Sequence, residues 1–282
     1  PDDDNEHYSD YLQPWKLMRL IKKYSDYIRW PIQMDVEHPE AKETGEKNED
    51  GTPKYETVTK VERETINSQI PIWQRSKSEV TDEQCMEFYK EKYHDDTDPA
   101  AVIRINAEGQ VSYKAMLFIP GRQLLDYLTS SYEPGPELYS SGVMIMEHCQ
   151  DLLAESFYFV RGVVDSPDLS LNISREMLQH DRQLKLIAQN INKRIKSELL
   201  KLLQNDRSKY EEFYKNYGRQ LRYGAVANYG QDIESLRDLL IYSVDAENTR
   251  TLKEYVGNMP ESQSVIYYAV GESVAKITRL PQ

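Results

Sequence analysis

Apolar residues recur at every third or fourth position in several stretches of the chain, a pattern typical of amphipathic helices. This spacing predicts one helix over residues 14–25 and a long helix over about 175–204. Thr81 and Thr251 are each followed three residues later by Gln or Glu, the capping-box pattern of a helix N-terminus. Further helix starts are predicted at Asp98-Pro99, Ser208, Asp232 and 271–273.

Short apolar or alternating runs between these helices predict β-strands. Residues 101–106 and 110–119 flank Glu108-Gly109 and therefore predict a hairpin. Residues 36–54 are highly charged and contain Pro and Gly, so we expect a flexible loop there, followed by an exposed strand over 55–65. The other predicted strands are 27–34, 143–146, 159–164, 241–244 and a buried strand over 265–270.

Strands and helices alternate up to about residue 170, three helices follow, and short α/β elements end the chain. Gly224 and Gly230 are expected to bracket a loop between the second and third of these helices. The predicted fold class is α/β (α+β), with a larger α/β sandwich, a three-helix connector and a smaller α/β unit. The expected bounds are 1–10 for an acidic frayed terminus, 11–173 for the large subdomain, 174–240 for the connector and 241–282 for the small subdomain.

Composition restricts the class of protein further. The chain has 282 residues with 35 Lys+Arg against 47 Asp+Glu, a net charge of −12, which argues against general nucleic-acid binding. Cys85 and Cys149 give no disulfide framework, so we expect reduced thiols and a cytoplasmic location. The sequence contains no apolar run long enough to span a membrane, so no membrane partner is expected. The chain starts Pro-Asp-Asp-Asp, without Met or a signal segment, and we expect it to be a piece of a longer protein.

The charge is distributed unevenly. Residues 171–224 contain 12 Lys and Arg against 6 Asp and Glu, a net +6, so the rest of the chain carries −18. A basic helical block in an acidic protein can dock an anionic partner. It can equally be a solvated helix face, because Lys and Arg are good helix formers.

No phosphate-binding glycine loop, dinucleotide-binding turn, zinc-protease helix or hydrolase nucleophile elbow occurs in the sequence, and the five histidines are scattered. No metal site is therefore expected. Residues 168–179 stand apart because an extended run enters a helix whose expected cap is Ser174. Arg175 and Gln179, spaced i and i+4, share a face beside unpaired backbone N–H groups, which suits a phosphate. An ordinary surface arginine at a helix start is the alternative.

The same segment resembles a known family. LNISREMLQ is similar to the signature loop in the middle domain of the 90-kDa heat-shock protein chaperones. IKKYSDYIRWPI, PIWQRSKSEVTDEQCMEFYK, EGQVSYKAMLFIP, KYEEFYKNYGRQLRYG and LKEYVGNMPESQSVIYYAVGES follow the order of that family. The resemblance covers nearly the whole chain, except 1–10 and 36–54, and is greatest to the bacterial form.

The resemblance implies an ATP-dependent chaperone of the stress response. The family holds ATP with Mg in a preceding N-terminal domain and dimerises through a following C-terminal domain, so the partners implied are the protein's own N-terminal domain and a second copy. Arg175 would reach the γ-phosphate, with Gln179 and Asn172 supporting it. The water-activating acid would lie in the N-terminal domain, so the isolated chain is expected to be inactive.

The resemblance also implies binding of partly folded client proteins. Trp73 stands where family members expose an aromatic side chain, and residues 122–133 resemble a mobile amphipathic loop. The alternatives are a core position for Trp73 and a buried turn for 124–128. The client-binding residues implied are Trp73, Leu124, Leu125, Tyr127 and Leu128.

Two other functions remain open at this point. One is a non-enzymatic docking module that uses the basic face of residues 171–224 for an anionic partner. The other is a mismatch-repair or topoisomerase transducer, a relative within the wider ATPase superfamily. Those relatives typically carry Lys in the corresponding arm, and the Arg175 of SREMLQ argues against them.

Overall fold

In the computed structural model of the chain, residues 12–47, 53–124, 127, 129–170 and 181–279 are described. Helix α1 spans Pro14–Leu20 and continues as a π-helical turn over Ile21–Ser25, as the sequence predicted for 14–25. The strand predicted over 27–34 is wrong for residues 27–32, which form a turn and an irregular connection.

A long antiparallel hairpin follows. Strand β1 spans Gln33–Lys47 and pairs with β2, Pro53–Thr65, starting from Gln33 opposite Thr65. The strand predicted over 55–65 is confirmed, whereas the loop predicted for 36–54 is wrong over 36–47 and over 53–54. Ladder hydrogen bonds to a neighbouring strand hold a charged segment extended when both faces can stay in water, and composition does not reveal that partner.

Among the described residues, five strands form the central sheet in the order β3-β4-β7-β5-β6. The pairs are antiparallel except β5 with β7, which is parallel. The predicted hairpin around Glu108-Gly109 is confirmed as β3 and β4. The strands are β3 Ala101–Ala107, β4 Tyr113–Ile119, β5 Glu137–Ser140, β6 Val143–Met146 and β7 Arg161–Asp165.

Helix α2, Asp82–Tyr93, begins with the predicted capping box. The Thr81 hydroxyl accepts from the Gln84 N–H, and the Gln84 side chain accepts from the Thr81 N–H. The helix predicted at Asp98-Pro99 is wrong: this stretch leads into β3, and the Ala100 N–H already donates to the Ile119 carbonyl at 2.7 Å. An Asp-Pro pair also suits a turn, and here strand pairing decides between the two.

Both faces of the central sheet are covered, because alternate side chains along β4 belong to two different buried clusters. Met116 and Phe118 pack with Cys85 and Tyr89 of α2 in one buried cluster. Tyr113, Ala115, Leu117 and Ile119 belong to a second cluster on the other face. The predicted α/β sandwich is therefore the observed fold class. The second cluster also includes the buried faces of the two long helices, whose members are Leu184, Ile187, Ile191, Ile195, Leu199, Tyr210, Phe213, Tyr217 and Leu221.

The long helices are α3, Arg182–Asn205, and α4, Arg207–Gly230. The three-or-four spacing of apolar residues predicted α3 correctly from residue 182 onward. One continuous helix from 175 is wrong, because Asp181 has an extended backbone and caps the start of α3. The capping box predicted at Ser208 is wrong. The Asp206 carboxylate accepts from the Lys209 N–H at 3.1 Å instead, and the helix begins one residue before Ser208.

The loop predicted between Gly224 and Gly230 is also wrong, because α4 continues through Gly230. A Cβ on Gly224 would lie 2.4 Å from the Ser156 Cβ. Gly224 thus permits close packing of the helix against residues 155–157 and does not interrupt it.

The C-terminal part contains short elements only. Thr251 caps its helix with the predicted capping box, and Ser273 caps the last helix as predicted. Helix α5 begins after Asp232, also as predicted. The buried strand predicted over 265–270 is wrong, since these residues form no strand and are exposed. The elements are α5 Ile233–Leu236, β8 Ile241–Ser243, β9 Thr249–Thr251, α6 Leu252–Gly257 and α7 Val274–Ile277.

The subdomain bounds drawn from the sequence stay predictions. Core residues on both sides of the 173/174 bound belong to one buried cluster, and Leu240 and Ile241 extend that cluster across the 240/241 bound. Within the described part of the chain, none of the helices is long and apolar enough to cross a membrane.

Candidate functional site

The predicted phosphate arm lies in residues 171–180. Asn172, Arg175 and Gln179, and the expected cap Ser174, all fall outside the described residues. The structure does describe the chain on both sides of this segment. The geometry of those two flanks is therefore what bears on the arm.

The flank before the arm is fixed to the central sheet. The Ser166 hydroxyl donates to the Ser112 carbonyl at 2.7 Å, and the Ser112 N–H donates to Asp168 Oδ2 at 2.7 Å. The Ser140 hydroxyl donates to the Leu169 carbonyl at 2.6 Å, and the Leu169 side chain is buried. The chain thus leaves β7 along a defined path up to residue 169.

The flank after the arm is a capped helix N-terminus. Asp181 Oδ1 accepts from the Gln183 N–H at 2.7 Å and from the Leu184 N–H at 3.0 Å. Leu184 is buried in the cluster that also contains Leu169. The ten-residue segment between the flanks is therefore anchored at both ends to one core.

A buried carboxylate lies at the end of β7, next to the first flank. Asp165 Oδ2 accepts from Trp73 Nε1 at 3.3 Å and from Gln74 Nε2 at 2.6 Å. Asp165 Oδ1 is buried and has no hydrogen-bond partner in the described part of the chain. The carboxylate fixes the 72–74 turn to the end of β7, the strand that precedes the flank leading to the arm.

Trp73 occupies a core position. It is 3% exposed, and its ring packs against Tyr27, Phe88 and Tyr139 with centroids 4.5, 6.0 and 5.4 Å away. The expectation that Trp73 offers an exposed aromatic is not met in this structure, because the indole fills the space between α2 and the sheet. A role of Trp73 in client binding would need this contact to open.

The predicted client loop is also partly in the core. Leu124 is buried, and its N–H donates to the Tyr217 hydroxyl at 3.3 Å. Tyr127 packs edge-on against Tyr132 and Tyr217, and burial raises the pKa of its phenol. Leu125 and Leu128 lie outside the described residues. The buried alternative is the one observed for Leu124.

Exposed apolar surface occurs where the sequence predicted a buried strand. Tyr267, Tyr268 and Val270 are 72%, 86% and 85% exposed. In the sequence, residues 265–270 form an uninterrupted apolar run, which is the pattern of a buried strand. Such a run is buried only when the fold places another surface against it.

The basic block of residues 171–224 is mainly a solvated face where it is described. Lys185, Lys193, Arg194, Lys215 and Arg219 are exposed on α3 and α4. Arg207 has a structural role: its guanidinium contacts Glu211, Glu254 and Thr249, which holds α6 and β9 against the start of α4.

The five-stranded sheet is covered on both faces, and two long helices follow the arm segment. Comparison with known proteins identifies the class to which this fold belongs. The family model described as "Hsp90 protein" matches residues 37–282, and the chain belongs to this family. A solved structure described as the middle domain of a putative heat shock protein of Plasmodium falciparum has a TM-score of 0.64. It is 26% identical, with 73% of this chain and 81% of that chain covered.

Bacterial relatives are more similar. "Chaperone protein HtpG" of Alkaliphilus metalliredigens is 51% identical over 280 residues, and that of Bacillus subtilis is 50% identical over 280 residues. Each alignment covers 99% of this chain and 44% of the relative. The chain thus spans less than half the length of these relatives. The family resemblance and the middle-domain assignment are confirmed.

Proposed function

We propose that this chain is the middle segment of an ATP-dependent molecular chaperone that couples ATP bound by an N-terminal domain to the binding of client proteins. The observation that carries the proposal is about 50% identity, over 99% of the chain, to bacterial proteins named chaperones. Arg175 within LNISREMLQ supplies the residue for the coupling. In the longer protein, a C-terminal segment provides the homodimer contacts.

Arg175 is assigned to the γ-phosphate of ATP. A guanidinium carries a permanent charge and a planar set of donors that match phosphate oxygens, so it stabilises the charge that develops on the transferred phosphoryl group. Gln179 adds an amide donor one helical turn away, and Asn172 shapes the segment before it. The flanks at Leu169 and Asp181 limit the positions that the arm can reach, which reduces the entropy lost on docking.

ATP and its Mg²⁺ supply the reacting group and its charge neutralisation when bound by the N-terminal domain. The acid that activates water belongs to that domain. The isolated chain is therefore expected to hydrolyse no ATP.

The test is an ATPase measurement on the full-length protein that contains this chain. Arg175→Ala is expected to lower kcat by roughly 10³-fold, the scale of an arginine-finger loss. Arg182→Ala is the matched control, because Arg182 is exposed at the start of α3 and should leave kcat unchanged. A rate within about twofold of wild type for Arg175→Ala would refute the arm assignment.

A non-enzymatic docking role for the basic helices is the second candidate, favoured by the exposed Lys and Arg side chains of α3 and α4. It predicts binding of an anionic polymer such as single-stranded DNA that weakens steeply with salt. Absence of retention on such a polymer at low salt would eliminate the nucleic-acid form of this role. An unchanged affinity after Lys193→Ala and Arg194→Ala would eliminate these helices as the docking face.

A further inference from the structure

The β1–β2 hairpin brings His38 of one strand close to Glu62 and Glu64 of the other, and all three are residue types that can bind a metal ion. Residues 34, 36 and 38 lie opposite 64, 62 and 60 in the ladder, so their side chains share one face. On that face, ligand atoms of His38, Glu62 and Glu64 all lie within 4.8 Å of one another. Sequence reasoning missed this group because no spacing motif links a residue on one strand to two on another.

The three side chains are exposed to similar degrees, 46% for His38, 47% for Glu62 and 44% for Glu64. His38 Nε2 lies 2.7 Å from Glu64 Oε1, and Lys60 Nζ lies 2.5 Å from Glu62 Oε1. Both carboxylates therefore have cationic or hydrogen-bonding partners that a metal would have to displace.

The donor set selects the class of ion. One imidazole nitrogen and two carboxylate oxygens suit Zn²⁺, whereas Mg²⁺ and Ca²⁺ prefer oxygen ligands alone. Ligands of one zinc lie at about 2.0–2.2 Å from the ion, so two of them can be no more than about 4.4 Å apart. Half-exposed side chains on a strand face reach this separation by small rotations. Water completes the fourth position.

We propose that His38, Glu62 and Glu64 form a Zn²⁺ site that links β1 to β2. The ion ties β1 to β2 through side chains of both strands, and so it stabilises the hairpin against fraying. This site is independent of the phosphate arm. Its zinc is a structural ion with no part in ATP hydrolysis.

Lys60 gives the proposal a sharp prediction. Its ammonium neutralises Glu62 and repels an incoming cation, so Lys60→Ala should raise the Zn²⁺ affinity. His38→Ala and Glu64→Gln should each lower it by at least tenfold. Arg63 is the matched control: it pairs with Asp35 on the opposite face of the same hairpin, at 2.8 and 3.0 Å, so Arg63→Ala should lower the affinity by less than threefold.

The experiment is isothermal titration of Zn²⁺, and separately of Mg²⁺, into the untagged, chelator-treated full-length protein and these variants. Backbone amide exchange of residues 33–65 should slow with Zn²⁺ in wild type but not in His38→Ala. Protection of the amides in the rest of the chain, measured in the same experiment, shows that His38→Ala is folded. The proposal is overturned if His38→Ala binds Zn²⁺ as tightly as wild type, if Lys60→Ala does not bind more tightly, or if Mg²⁺ binds equally well.

Discussion

The indole N–H of Trp73 donates to the buried carboxylate of Asp165 across 92 positions of sequence, which fixes the 72–74 turn to the last residue of β7. The same carboxylate oxygen accepts from Gln74. Trp73 is thus held by aromatic packing on its ring and by a hydrogen bond on its nitrogen. The arm-bearing segment begins six residues after this contact, at residue 171.

Trp73→Ala is expected to lower the free energy of unfolding by about 3–5 kcal/mol, because it removes a large buried ring and leaves a cavity. Trp73→Phe retains most of the packing but removes one donor to Asp165, with an expected loss of about 1–3 kcal/mol. Urea denaturation measures both. Trp30→Ala is the control, since Trp30 is 64% exposed and should change stability by no more than about 0.5 kcal/mol. Equal losses for Trp73→Ala and Trp30→Ala would contradict the core assignment of Trp73.

A second buried carboxylate makes stability depend on pH. Burial raises the pKa of the Asp95 carboxyl, but hydrogen bonds from Tyr89 and Thr97 and the Arg122 guanidinium together lower it by more. A depressed folded-state pKa stabilises the protein above the unfolded pKa of about 3.9 and loses that contribution as pH falls through the folded value.

Asp95→Asn should therefore be destabilised relative to wild type at pH 7, and the difference should shrink as pH falls below about 4. Urea denaturation of both proteins between pH 3 and 7 measures it. Asp96→Asn is the control, because the Asp96 side chain is 84% exposed. If the difference in the free energy of unfolding between wild type and Asp95→Asn stays constant over this pH range, Asp95 is not the titrating group.

Local sequence signals predicted the elements whose causes are local. The capping boxes at Thr81 and Thr251 contain their own donors and acceptors, and the buried face of α3 follows from its spacing. The failures depend on distant partners. Residues 36–47 form a strand because β2 pairs with them, and Gly224 lies within α4, where it lets the helix pack closely against Ser156.

The candidate site divides in the same way. The arm residues followed from a motif and a family resemblance, and the structure adds the anchors at Ser112, Ser140 and Asp181 that no motif indicated. Exposure could not be read from residue type. An isolated Trp in a charged context is buried, and the run 265–270 is exposed. Burial depends on which surfaces the tertiary fold brings together. Sequence periodicity can identify an apolar face, but it does not identify the surface that packs against that face.

Arg207 connects the C-terminal elements to the long helices. Its guanidinium donates to Glu211 Oε1 at 2.8 Å, to Glu254 Oε1 at 2.9 Å and to the Thr249 carbonyl at 2.8 Å. Arg207→Lys cannot reproduce this planar fork, so we expect a loss of about 1–3 kcal/mol in the local opening free energy of β9 and α6.

Amide hydrogen exchange measures that effect. Protection should fall in residues 249–257 and stay unchanged in the middle of α3. Arg219→Lys is the control, because this arginine on α4 is exposed. Equal loss of protection throughout the chain would show that Arg207 stabilises the whole domain and does not act as a local connector.

Client contact is expected at the exposed apolar run and not at Trp73. Covering a large apolar side chain contributes about 1.5–3 kcal/mol, and the Tyr267 and Tyr268 side chains are 72% and 86% exposed in the part of the protein that this chain spans. Tyr267→Ser with Tyr268→Ser should weaken binding of an unfolded model protein to the full-length chaperone by at least tenfold while changing stability little, since exposed positions tolerate substitution. Fluorescence anisotropy with a labelled, permanently unfolded protein measures the affinity.

Trp73→Phe, checked by circular dichroism to be folded, should bind normally. If Trp73→Phe loses binding and the double variant keeps it, the buried indole must open to clients, and the exposed run is not the contact surface.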